Sequence, residues 1–286
     1  MSPVKIFCLC LLLLCMPLSH AEIDDDLSHC DVDGKQTDLS RWHYQFRERC
    51  YFQNKHNPIN KNTLGITNIL AEMRREPLFS SYLLGKANQL ESAFCIEDRA
   101  DGCRGYYDYN FNIIAVRSSL ELFTKVIIFI HELRHLDQVS RGFVRTLDYD
   151  AKEMVRMTFA IEADVNAVLA MYGWRLKEMG FPQVWKKLFD LPHYSDIYEA
   201  FREEMENSHN ELTAARMAFI QWYQSDWRKT SYSRNSLSGY YDMLDDTKLI
   251  QRYDKLPTEY FDNLCILPDG RNYGCHLTSE IRAQGK

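Results

Sequence analysis

The chain reads as an α+β protein, mainly helical, with a small antiparallel sheet. Three observations predict that class. Apolar residues recur at helical spacing from Asn62 to Glu76, from Pro77 to Ser92 and from about Ala151 to Met179. Runs rich in β-branched and aromatic residues are short, confined to Ala93-Phe94-Cys95-Ile96 and Tyr106 to Val116, around the turn formers Asp101-Gly102 and Asn110. Finally, Val126 to Ile130 is an unbroken apolar run of the kind used by a helix buried in a core.

Lys5, the apolar run Ile6 to Met16 and the small-residue site Ser19-His20-Ala21 predict a secretory signal peptide over residues 1–21. The run is short for a bilayer span, and Pro17 interrupts it. Leu14 ahead of Cys15 argues against a lipoprotein signal. The expected product is exported and soluble, periplasmic or secreted. A bacterial setting fits the lack of any Asn-x-Ser/Thr acceptor. No later segment is long and apolar enough to cross a membrane. The formal charge of −6 becomes one unit more negative without Lys5, and there is no basic tract, which argues against a nucleic-acid partner.

Residues 22–60 form an N-terminal extension, most of it charged and poorly periodic. Asp24-Asp25-Asp26 and Asp31-Val32-Asp33-Gly34 lack the later acidic positions of a calcium loop and read as solvated acidic loop. The principal domain is expected over 61–240, with a disulfide-closed segment, 241–286, packed on it. Three of the nine cysteines fall in the signal. The remaining even set, in an exported chain, predicts bridges. Local pairing is expected: Cys30–Cys50, Cys95–Cys103 and Cys265–Cys275, the last closing a loop around the turn Pro268-Asp269-Gly270.

The strand Phe111 to Val116 leads into Ser118-Ser119-Leu120-Glu121, which reads as a capping box, and Gly142 offers a helix stop. Between them lies His131-Glu132-Leu133-Arg134-His135. On a helix the two histidines sit one turn apart on one face, able to reach a single tetrahedral Zn²⁺, with Glu132 beside the ion's open position as a general base. The competing reading is two core histidines satisfied by ordinary hydrogen bonds.

A long helix follows, with Asp150 and Glu153 at its start and Gly180 and Pro182 at its stop. Val155, Phe159, Glu162, Asn166 and Leu169 share one stripe of it, so Glu162 faces the core. A buried carboxylate demands a compensating cation, either a metal ion or a guanidinium such as Arg156 or Arg134. Downstream, helices are expected over 195–206 and 210–227.

His131-Glu-x-x-His135 followed by Glu162 on a later helix resembles the gluzincin type of zincin metallopeptidase, including uncharacterised bacterial families. The resemblance covers roughly residues 92–180 and is specific only in the metal motif. It implies a zincin-like core and a zinc endopeptidase acting on protein or peptide. His131, His135 and Glu162 would be the ligands, Glu132 the catalytic base, and the strand before the motif helix would bind substrate by its free edge. It also implies a polar residue one turn after Glu162 bracing a ligand histidine. Here that residue is Asn166, with Asp164 a weaker candidate. Tyr107, Tyr109, Tyr149, His193 and His209 are the residues available to stabilise an oxyanion. The alternative is a zinc-containing, non-catalytic binding or assembly protein on the same scaffold. Oligomeric state stays open.

Overall fold

The computed structural model describes residues 50–275 except 58, 99–103 and 258. The expected signal peptide, nearly all of the N-terminal extension, Cys30 and Cys103 lie outside the described residues. Two helices come first, α1 (Lys61–Met73) and α2 (Pro77–Gln89). Asn60 caps α1 through a reciprocal box with Thr63. Glu76 caps α2, where Pro77 occupies a first-turn position that needs no amide donor.

Three strands follow, β1 (Ala93–Glu97), β2 (Gly105–Asp108) and β3 (Ile113–Arg117). The sheet is mixed, which corrects the antiparallel expectation: the order is β1-β3-β2, with β1 parallel and β2 antiparallel to β3. A tight turn makes the β2–β3 hairpin. Asp108 accepts from the amides of Asn110 and Phe111, and Asn112 takes a positive φ. The hairpin occupies one edge of β3 and β1 takes the other. The strand before the motif helix is therefore central and has no free edge for a peptide. Among the described residues, β2 is the outer strand on the hairpin side. Ile113 to Val116 are each at most 1% exposed, so this strand is covered on both faces, as its unbroken apolar run requires.

The motif helix, α3 (Leu122–Ser140), crosses the centre and packs on α1, α2, β2, β3, α4 (Ala151–Glu178) and α5 (Gln183–Leu188). Its cap is Glu121, whose carboxylate accepts from the amide and hydroxyl of Thr124. Ser118 does not cap it. Its hydroxyl bonds Asp98, and its amide donates to the Glu97 carbonyl at the end of β1. Gly142, at φ +94°, terminates the helix. Gly105 lets β2 lie close on α3: a Cβ there would stand 2.8 Å from the Ala115 carbonyl oxygen and collide with Ile128.

α4 starts at the Asp150 cap and stops before Gly180, as the sequence predicts. It is clasped by α5, α6 (Ser195–Ser208), α7 (Glu211–Trp222) and α8 (Asp226–Thr247). The helix expected over 210–227 thus ends early, at Trp222, and Ser225 caps a new one.

Two disulfides close the described chain, Cys50–Cys95 and Cys265–Cys275. The second matches the expectation. The first replaces the expected Cys30–Cys50 and Cys95–Cys103 pairs. A backbone bridge between Tyr51 and Phe94 lays the two segments side by side and brings the Cys50 and Cys95 Cα atoms to 4.5 Å.

Candidate metal centre

His131 and His135 project from one face of α3, and Glu162 meets them from α4. Their ligand atoms lie within 4.8 Å of one another. His131 Nε2 is 2.8 Å from His135 Nε2 and 3.7 Å from Glu162 Oε2, while His135 Nε2 is 3.6 Å from Glu162 Oε1. Donors placed tetrahedrally around a Zn²⁺-sized ion stand about 3.3 Å apart, so the trio fits a small divalent cation. Glu162 supplies the stronger test. It is fully buried, and neither carboxylate oxygen has a hydrogen-bond partner. Such a carboxylate is costly unless a cation completes it. The two guanidinia named from the sequence are committed elsewhere: Arg156 pairs with Glu153, and Arg134 with Asp164 and Asp137. Arg145 acts on Glu162 electrostatically without lowering its pKa to the usual carboxylate range.

The orientation of His135 is set by a residue on its own helix. Gln138 Nε2 donates to the Ile161 carbonyl (3.0 Å) and to Asp164 (2.6 Å), so Gln138 Oε1 is the atom that faces His135 Nδ1 at 2.8 Å. An amide oxygen only accepts. His135 therefore carries its proton on Nδ1 and presents the Nε2 lone pair to the centre. Asp164 also accepts from Arg134 Nε (2.8 Å) and from the Tyr273 hydroxyl (2.8 Å). Arg134 extends the network to the carbonyls of Leu264 (3.0 Å) and Ile266 (2.8 Å), and Tyr82 donates to Asp137 (2.9 Å). Burial alone would disfavour the Arg134 charge. Asp164 and Asp137 reverse that and hold its pKa above the ordinary arginine value. The loop closed by Cys265–Cys275 is thereby tied to the base of the centre. Gln138→Leu keeps the volume but removes the acceptor, and is expected to weaken metal binding by about 10–100-fold. Competition with a chelator measures this, and unchanged affinity would refute the role given to Gln138.

Electrostatics keep both imidazoles neutral. Burial, helped by His135, holds His131 well below the usual histidine range. Burial lowers His135 to about 3, against the Gln138 bond and with help from Arg145 and Arg134. Burial raises Glu162 to about 8, against the pull of Arg145 and Tyr232. Above 6.5, the ordinary histidine value, the unfolded chain and the fold both keep these histidines neutral. Glu162 then dominates, because the fold retains a proton on it that the unfolded chain has released. Stability of the chelator-treated protein is expected to fall between pH 6.5 and about 8, by at most about 1.4 kcal/mol per pH unit. Denaturant unfolding across that window should show the slope, and Glu162→Gln should flatten it.

The other residues singled out in the sequence divide. Asn166 reaches neither histidine. Its amide nitrogen donates back to the Glu162 carbonyl one turn earlier (2.9 Å), and its oxygen accepts from Tyr198 (3.0 Å). Asp164, the weaker candidate, is the one linked to His135, through Gln138. Tyr107 and Tyr109 line a cleft beside His135, with the Tyr107 hydroxyl bonded to Asn112 (3.0 Å). The Tyr149 ring packs on Tyr260. His193 is exposed and stacked on Trp227 (4.1 Å), and His209 is the exposed left-handed cap of α6. Neither bonds the trio.

Sequence reasoning passed over three residues. Gln138 follows His135 by three positions, a helical spacing that signalled it. Tyr232 on α8 carries no local signal. It acts on Glu162 from 70 residues downstream and shares a hydrogen bond with Tyr194 (2.8 Å). Arg145 sits in the α3–α4 loop and lines the same cleft as His135.

With the geometry in hand, comparison with known proteins adds one finding. Residues 45–275 match the model of a family described as "Putative metallopeptidase family (DUF6782)". No curated protein and no solved structure matches the chain.

Proposed function

The chain belongs to this metallopeptidase family, and on that premise we propose that it is an exported zinc endopeptidase of the gluzincin type. His131, His135 and Glu162 hold the ion. When bound, zinc supplies a Lewis acid that polarises the scissile carbonyl and brings the pKa of water toward about 7. The Glu132 carboxylate takes the proton of the attacking water and returns it to the leaving amine nitrogen. Tyr107 and Tyr109, both in the cleft wall, are the residues this reading keeps as candidate oxyanion donors.

The observation that carries the reading is the convergence of two imidazoles and an unsatisfied carboxylate, drawn from two core helices, with Glu132 next to them in the chain. Export is supported by the signal-like residues 1–21 and by the two disulfides. Among the described residues no helix is long and apolar enough to cross a membrane. The depth of the site favours a second reading, a zinc-containing binding or assembly protein: Glu132 and Glu162 are 0% exposed. Elemental analysis of the purified chain, joined to cleavage of a broad peptide library, decides. One zinc per chain with cleavage supports the enzyme, and one zinc without cleavage supports the second reading. Absence of zinc from protein prepared without chelator overturns both.

A further inference from the structure

The cleft beside His135 is walled mostly by apolar and aromatic groups, Tyr107, Tyr109, Val139, Phe143 and Ile161 among them. Arg145 is the ionic side chain in that wall apart from the histidine itself. Three other well-covered guanidinia have carboxylate partners: Arg134 with Asp164, Arg175 with Glu211 and Asp269, Arg228 with Asp196. Arg145 forms no ion pair within the described residues. Glu162 is the carboxylate that acts on it, joined by the hydroxyls of Tyr109 and Tyr232. Glu162 is also the carboxylate facing both imidazoles. Once it holds a divalent cation its charge is spent there, and a guanidinium beside that ion in a poorly solvated cleft faces a like charge. An anion arriving in the cleft restores the balance. Planar, bidentate donors match a carboxylate better than any neutral group.

We infer that Arg145 recognises a carboxylate of the substrate, so that the cleft selects peptides carrying an acidic side chain or a free C-terminal carboxylate next to the scissile bond. This rests on the peptidase reading above and names its substrate class. Either source of the carboxylate satisfies the same guanidinium, and the experiment separates them.

Four probe peptides serve: one containing a single Glu and its Gln analogue, each with a free or an amidated C-terminus. Their equilibrium binding is measured by fluorescence anisotropy on zinc-loaded Glu132→Gln protein, so that no turnover is needed, and their kcat/KM on unsubstituted protein. The expected result is at least about 10-fold tighter binding of the carboxylate-bearing probes, with the ratio falling to about one in Arg145→Gln and recovering in part in Arg145→Lys. Preference for Glu over Gln with amidated ends assigns the side chain. Preference for free over amidated ends assigns the terminus. Binding that ignores charge, or that falls equally for all four probes in Arg145→Gln, overturns the inference; the second pattern is that of an oxyanion donor. Failure of the peptidase reading looks different: no probe is cleaved by the unsubstituted protein, whatever the binding ratio.

Discussion

Glu132→Gln lowers kcat/KM for peptide hydrolysis by about 10²–10⁴-fold while the protein still holds one zinc per chain. The magnitude is that of losing a positioned general base. The substitution is nearly isosteric, so the 0%-exposed pocket around residue 132 keeps its shape. The His135 ring on α3 keeps its orientation, because Gln138 accepts from its Nδ1. What changes is one property: an amide cannot take a proton from water at neutral pH. Zinc content and rate must be measured on the same preparation. A variant that cleaves at the unsubstituted rate removes Glu132 from the mechanism. A variant that loses zinc makes it structural instead.

Glu162→Ala is the second large effect, and it separates metal binding from folding. Deleting one of three donors is expected to weaken zinc by more than the 10–100-fold that outer partners command, with hydrolysis lost in step. The fold responds in the opposite direction. The carboxylate is buried without a hydrogen-bond partner, and burial raises its pKa to about 8. Removing it relieves a desolvation penalty that Arg145 and Tyr232 offset only in part. In chelator at pH 8, the variant should therefore unfold at a higher denaturant concentration than the parent. In zinc the order should reverse, because the parent gains binding free energy that the variant cannot. Retention of full zinc affinity would require a different third ligand. A chelator-treated variant less stable than its parent would mean that Glu162 is a structural partner after all.

The two helices that bear the trio were legible because each carries its signals locally. Val126 to Ile130, the one-turn spacing of His131 and His135, and Gly142 lie within one segment, and Asp150, Glu153 and Gly180 bracket the other. Glu162 stood out because charge is anomalous on an apolar stripe. The sheet was less legible. Its parallel β1–β3 pairing joins segments whose partnership depends on which edge the β2–β3 hairpin leaves open, and no local spacing encodes that. Cys50–Cys95 escaped for the same reason: its geometry comes from the Tyr51–Phe94 bridge across 45 residues.

The sequence by itself determined the chemical inventory: two imidazoles in helical register, a carboxylate beside them, and a second carboxylate sunk in a later helix. Periodicity and capping act over a few residues, so a single segment can express them. Only the tertiary structure decided how that inventory is wired. It chose Asp164 over Asn166 as the residue tied to His135, gave Arg134 to Asp164 and Asp137, locked the Cys265–Cys275 loop under the centre, and set Arg145 in the cleft wall. Those choices follow from burial. A polar group taken out of water needs a partner wherever the packed chain offers one, and Asp164 on α4 finds Arg134 and Gln138 on α3 and Tyr273 beyond Cys265.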